Sequence, residues 1–145
     1  MKRGWQSMSL GEKDAVHLAA MLRYLNLASS FIGEMTFDEF SDESHVQTQF
    51  AVAMAIAQVG EHVKGLSREF RSDESSVDWR EIAGTRDWLV HKYDEVDLRI
   101  LYGSVVNDTP ALVELLESLL EEDSVDFGPV AMLDDITIPL PPEEN

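Results

Sequence analysis

An all-α helical bundle is the fold this sequence predicts, and three observations carry that expectation. Apolar residues recur at helical spacing through several long stretches. Residues suited to capping stand ahead of two of them, as Ser9-Leu10-Gly11-Glu12 and as Asp78 with Glu81. Glycine or proline interrupts the pattern at Gly33, Gly65 and Pro110.

The elements follow in order. A first long helix opens at the Ser9 capping box, carries Val16, Ala20, Leu22, Leu25, Leu27, Phe31 and Ile32 inward, and ends near Gly33. Thr36 to Asp42 is a short connector of about one helical turn, anchored by Phe37 and Phe40. A second long helix starts near Glu43, turns Val46, Phe50, Ala53, Met54, Ala57 and Val63 inward, and stops near Gly65. Residues 66–77 are polar and are expected to form a loop. Asp78 caps a third helix with Ile82, Trp88 and Leu89. Asp94 or Asp97 opens the next, with Val96, Leu98, Leu101, Val105 and Val106. Pro110 must interrupt or kink it, because proline has no amide hydrogen to donate. Thr109 as N-cap with Pro110 in the first turn restarts a helix through Leu112, Leu115, Leu116, Leu119 and Leu120.

The expected organisation is a helical domain of four to five up-and-down helices over residues 1–122 and an irregular acidic tail over 123–145. Gly128-Pro129 and Pro139-Leu140-Pro141-Pro142 exclude a long helix from the tail, and there is no internal repeat. Val130-Ala131-Met132-Leu133 and Ile136 to Leu140 are apolar islands within it. They either dock on a protein surface or belong to a floppy tail.

Composition narrows the function. A chain of 145 residues is near the usual size of one domain and long enough for a sizeable core. With no cysteine, disulfides, thiolate metal sites and cysteine nucleophiles are excluded. The basic start, Met1 to Gln6, is followed by no long apolar run, so neither a signal peptide nor a membrane span is expected and the chain reads as soluble and cytoplasmic. Eleven Lys and Arg against 28 Asp and Glu give a net charge of −17. Eight of those acids fall in residues 121–145, which hold no basic residue, yet the remainder is still acidic. A nucleic-acid site in such a chain must be a local basic pocket. The acid either solvates the surface, as in adaptation to high salt, or serves partner binding.

The motif-bearing stretch is Gly84-Thr85-Arg86-Asp87-Trp88-Leu89-Val90-His91-Lys92-Tyr93. On one helix turning by about 100° per residue, Arg86 and Tyr93 fall nearly in line, while Asp87 and His91 form an i,i+4 pair in which the carboxylate holds the imidazole. Arg86 and His91 are about 140° apart and do not project side by side. His17, His45 and His62 are scattered, and with no carboxylate–histidine cluster of metal-ligand spacing no metal or other cofactor is expected.

Arg-polar-x-x-x-His-x-Tyr, followed by Asp97, Val105-Val106-Asn107-Asp108 and Pro110, resembles the HepT-like branch of the HEPN superfamily, small helical ribonuclease toxins. Ala57-Gln58-Val59-Gly60-Glu61, Val77 to Ile82 and Phe37-Asp38-Glu39-Phe40 resemble further family segments, so the likeness covers most of residues 10–120. It implies a HEPN-type bundle and a homodimer in which two motifs share a cleft. It also implies a metal-independent RNA endonuclease, the toxin of a toxin–antitoxin pair. The family's tyrosine is adenylylated by a nucleotidyltransferase antitoxin, a role that falls on Tyr93.

The residue types suit that chemistry. Cleavage by the ribose 2′-OH needs a base, an acid and a cation for the charge developing on phosphorus. His91 moves protons near neutral pH, Asp87 orients it, and Arg86 offers a fork of donors to phosphate oxygens. Arg80, Lys92 and Arg99 are the further candidates for RNA contact. Tyr93 is otherwise a core residue, and Glu61 beside His62 either lines the cleft or forms a helix-surface pair. The alternative function is a non-catalytic HEPN bundle that binds a nucleotidyltransferase.

Overall fold

The computed structural model describes residues 11–122, and the expectations for Ser9 and for the tail from 123 onward lie outside them. Those residues fold as an all-α bundle. Helix α1 spans Glu12–Ile32, α2 Phe37–Ser41, α3 Val46–Lys64, α4 Arg68–Asp73, α5 Trp79–His91, α6 Leu98–Gly103 and α7 Thr109–Glu122. Two 3-10 turns, Glu43–His45 and Tyr93–Glu95, lead into α3 and out of α5. A π-turn, Ser104–Asp108, fuses α6 to α7, so four long arms make the bundle. The α1 arm packs between α3 and α7, and α5 lies against α3. Between α5 and the α6–α7 arm runs an apolar groove of about 1150 Å³, reaching down to Leu25, Ile56 and Val59.

Local chemistry explains most boundaries. The N-cap of α1 is Gly11. The helix ends at Gly33, whose φ of 55° is a conformation that only glycine adopts without strain. Thr36 and Glu39 form a reciprocal capping box that starts α2, and its Phe40 is wholly buried. Burying a phenylalanine is worth about 1.5–3 kcal/mol. Buried Gln49 donates to the Phe40 and Asp42 carbonyls at 2.9 and 3.1 Å, tying the connector to α3.

Several expectations are corrected. The expected loop over 66–77 contains α4, because the Ser67 hydroxyl accepts from Phe70 N–H while Leu66 and Phe70 enter the core. Asp14, given no part in the sequence analysis, is buried and accepts both the amide and the hydroxyl of Ser67 at 2.6 Å. On α1 the inward residues are Leu18, Met21, Leu25, Ala28 and Ile32, while Val16 faces out. On α3 the expected inner residues Val46, Phe50 and Met54 are exposed, Phe50 by 54% and Met54 by 58%. The reason is that α3 contacts both α1 and α5, and close approach on two sides favours the small Ala53, Ala55, Ala57 and Gly60.

Pro110 does not break the last arm. Thr109 is helical rather than a cap, and its amide and hydroxyl both donate to the Ser104 carbonyl, the hydroxyl at 3.3 Å. The wider π-turn takes up the chain ahead of the proline ring. The same arm buries Leu101, Val105, Leu116 and Leu119. Helix α1 is long and apolar enough to cross a membrane by length and composition, but Ala15, Leu18, Met21 and Ala28 are fully buried in this bundle.

Candidate active site

The site is built where α3 and α5 touch. At Gly60 an added Cβ would stand 2.7 Å from both Arg86 Cβ and the Ile82 carbonyl. Only a residue without a side chain lets the two backbones come this close. The next residue of α3, Glu61, consequently reaches the motif. Its Oε2 pairs ionically with Arg86 Nε at 2.8 Å, and Arg86 Nη1 donates to Asp87 Oδ1 at 3.0 Å. Lys64, one turn on, donates to the same Asp87 oxygen at 2.8 Å and stands 4.0 Å from Glu61. Four charges of alternating sign thus clasp the helices together. Hydrogen bonds from Lys64 and then Arg86 hold the Asp87 carboxyl below its usual pKa.

This network changes the part expected of Asp87. No hydrogen bond joins it to His91 among the described residues; it serves Lys64 and Arg86 instead. Arg86 faces α3 and is half-buried, whereas His91 closes α5 exposed to solvent. The two motif residues do not meet on one face of a single chain. Arg86 engages two of its five N–H groups, one in a hydrogen bond to Asp87 and one in the ion pair with Glu61, which leaves three for an incoming anion.

Tyr93 is also displaced from its expected place. Helix α5 ends at His91, so Tyr93 lies in the following 3-10 turn and not in line with Arg86. Its ring stacks on Phe50 with centroids 4.6 Å apart, and burial raises the phenol pKa. The three candidate RNA contacts are spread out. Lys92 lies over the Trp88 ring, Arg99 lies over the Phe37 ring on the α2 side, and Arg80 stands in the first turn of α5. Two of the histidines taken as scattered do meet: His17 Nδ1 and His62 Nδ1 are 3.0 Å apart, and Tyr24 stacks on His62. Burial, and then His17, lowers the His62 pKa. Among the described residues no three His, Asp or Glu side chains group as a metal site.

Sequence reasoning did not find Lys64 or Phe50 as site neighbours. The signal for Lys64 was its place one turn after Glu61, which is visible only once the helix pairing is known.

Residues 21–119 match a family described as "Ribonuclease HepT-like". A protein of Thermococcus cleftensis named "Probable ribonuclease HepT" is 34% identical over 112 residues, covering 77% of this chain and 98% of its own. A "Putative RNase" of Caldanaerobacter subterraneus subsp. tengcongensis is 34% identical over 61% of this chain and 78% of its own. A "Putative RNase" of Methanocaldococcus jannaschii is 33% identical over 63% and 74%. No solved structure matches.

Proposed function

The chain belongs to the HepT-like ribonuclease family, and from that premise we propose that it is a metal-independent RNA endonuclease, the cytoplasmic toxin of a toxin–antitoxin pair. The observation that carries the reading is the Glu61–Arg86 clasp. It fixes a guanidinium beside an interhelical surface and leaves three of its donors unused, while His91 stands exposed at the end of the same helix.

In the proposed reaction the ribose 2′-oxygen attacks the adjacent phosphorus and gives its proton to a base. The bond from phosphorus to the 5′-oxygen breaks as an acid protonates the leaving oxygen, giving a 2′,3′-cyclic phosphate and a free 5′-hydroxyl. His91 serves as a proton carrier and Arg86 stabilises charge on the phosphoryl oxygens. Two proton carriers are needed, and a homodimer supplies a second His91. An exposed apolar row, Val46, Phe50 and Met54, with Trp88 and Val90 on α5, supports a seat for that second copy beside the motif.

The antitoxin in this reading is a nucleotidyltransferase that adenylylates Tyr93. The phenol oxygen attacks the α-phosphorus of ATP and pyrophosphate leaves. A base must take the phenol proton as the oxygen attacks, and in this reading the partner supplies it. AMP on Tyr93, two residues past His91, adds bulk and negative charge where RNA phosphate must enter.

A second reading is a non-catalytic bundle that binds the nucleotidyltransferase, favoured by the net charge of −17. Labelled single-stranded RNA incubated in EDTA with the protein and with His91→Ala separates the two. Cleavage by the first alone supports the ribonuclease. Cleavage by neither, with fold and dimer intact and Tyr93 free of AMP by mass, supports the binding partner. Equal cleavage removes His91 from the site.

A further inference from the structure

Basic residues are scarce in this chain, 11 in 145, yet Arg68, Arg71 and Arg80 line one open cavity of about 570 Å³. Ser72, Ser75 and Ser76 line it with them. The described ion pairs, all within the Glu61–Lys64–Arg86–Asp87 clasp, use none of these three arginines. The Nε of Arg71 is buried without a hydrogen-bond partner. Asp78 is the acid in this lining, and its Oδ1 already accepts from Glu81 N–H at 3.1 Å as the cap of α5. Three clustered cations and hydroxyl donors make the chemistry of a phosphate site.

Its position gives the site a use. Arg80 and His91 are eleven residues apart on one helix, which is about 16 Å along the axis and within about 20° of the same face. Between them on that face is Gly84, where an added Cβ would meet nothing within 4 Å. The same face also carries Asp87, whose carboxylate is held by Lys64 and Arg86, and it leads from the arginine cavity to His91.

We propose that Arg68, Arg71 and Arg80 bind a phosphate of the RNA strand remote from the bond being cut, holding the strand along α5. The proposal rests on the ribonuclease reading for its ligand, but its test does not require cleavage. In a His91→Ala background, anisotropy of fluorescein-labelled single-stranded RNA is compared with and without Arg68→Gln, Arg71→Gln and Arg80→Gln together. The expected result is binding weakened about tenfold or more, with the salt dependence of log K reduced by about 0.7 for each phosphate that is no longer neutralised. The corresponding triple Lys variant, which keeps the charge, should retain most of the salt dependence and serves as the control for folding. With His91 restored, the Gln variant should raise KM far more on long RNA than on a dinucleotide. Unchanged affinity and salt dependence in the Gln variant, or no RNA binding by the His91→Ala parent, overturns the site. Arginine-dependent binding by a protein that never cleaves would uphold the site and sink the ribonuclease reading alone.

Discussion

Arg86 Nε and Glu61 Oε2 are 2.8 Å apart across the junction of α3 and α5, so the motif's arginine is oriented by the neighbouring helix. An arginine with a fixed Nε presents its remaining N–H groups in a set direction, which is the condition for recognising a phosphate by geometry as well as by charge.

Glu61→Gln is expected to lower kcat by roughly tenfold to a hundredfold, the scale of loss when a catalytic group is misplaced slightly. Stability should change by less than about 1 kcal/mol, because both partners are substantially solvent-exposed. Single-turnover cleavage and urea unfolding on the same preparation check both. A full-rate variant would show that Arg86 needs no guide.

Gly60→Ala should destabilise the protein by about 1–3 kcal/mol. Any gain in helix propensity from alanine is outweighed by contacts at 2.7 Å with Arg86 Cβ and with the α5 backbone, which only a shift of α5 away from α3 would relieve. A lowered thermal midpoint is the readout; an unchanged or raised one would mean that α3 and α5 are further apart than described.

Asp87→Asn tests what the carboxylate serves. Because Asp87 accepts from Lys64 and Arg86, the variant should lose rate without shifting the pH optimum. A shifted optimum in the pH–rate profile would restore the direct Asp87–His91 pairing.

Stability should depend on pH through His62. Its pKa is lowered in the fold, so the unfolded chain binds protons more readily around pH 6.5 and below. Its contribution is then fully present above about 6.5 and is lost as pH falls from there through the lowered folded value. Urea midpoints measured from pH 7.5 downward should fall more steeply for the native chain than for His62→Gln. Parallel profiles would remove His62 as the cause.

Tyr93→Phe should retain cleavage and fold, since the ring stack on Phe50 persists, while abolishing AMP transfer by the nucleotidyltransferase. Intact mass after incubation with that enzyme and ATP is the check. AMP still added to the variant would take the modification away from Tyr93.

How much of this was legible in the sequence depends on whether the cause is local. Gly33 and Gly65 as stops, the Thr36–Asp42 connector and Asp78 as a cap all appear as expected, because capping and turn chemistry act over a few residues. Helix α4 was hidden because its start depends on Asp14, 53 positions away, and on Phe70 alone as its buried residue. The face of α3 was misjudged at Phe50 and Met54 because apolar size suggests burial while helices in close contact select alanine and glycine. Arg86, Asp87 and His91 were identifiable as a motif, but that Asp87 answers to Lys64, and that Arg86 answers to Glu61, are facts of helix pairing.

Helix α5 is fastened along one flank, by α3, and open to the groove on the other. An element secured on a single side gives way before a core gripped on two, as α1 is between α3 and α7. Inactivation and unfolding are therefore expected to be separate events in this protein. Under rising denaturant the clasp at Arg86 should slacken while the helical signal of the bundle persists, so that the molecule loses its chemistry before it loses its shape.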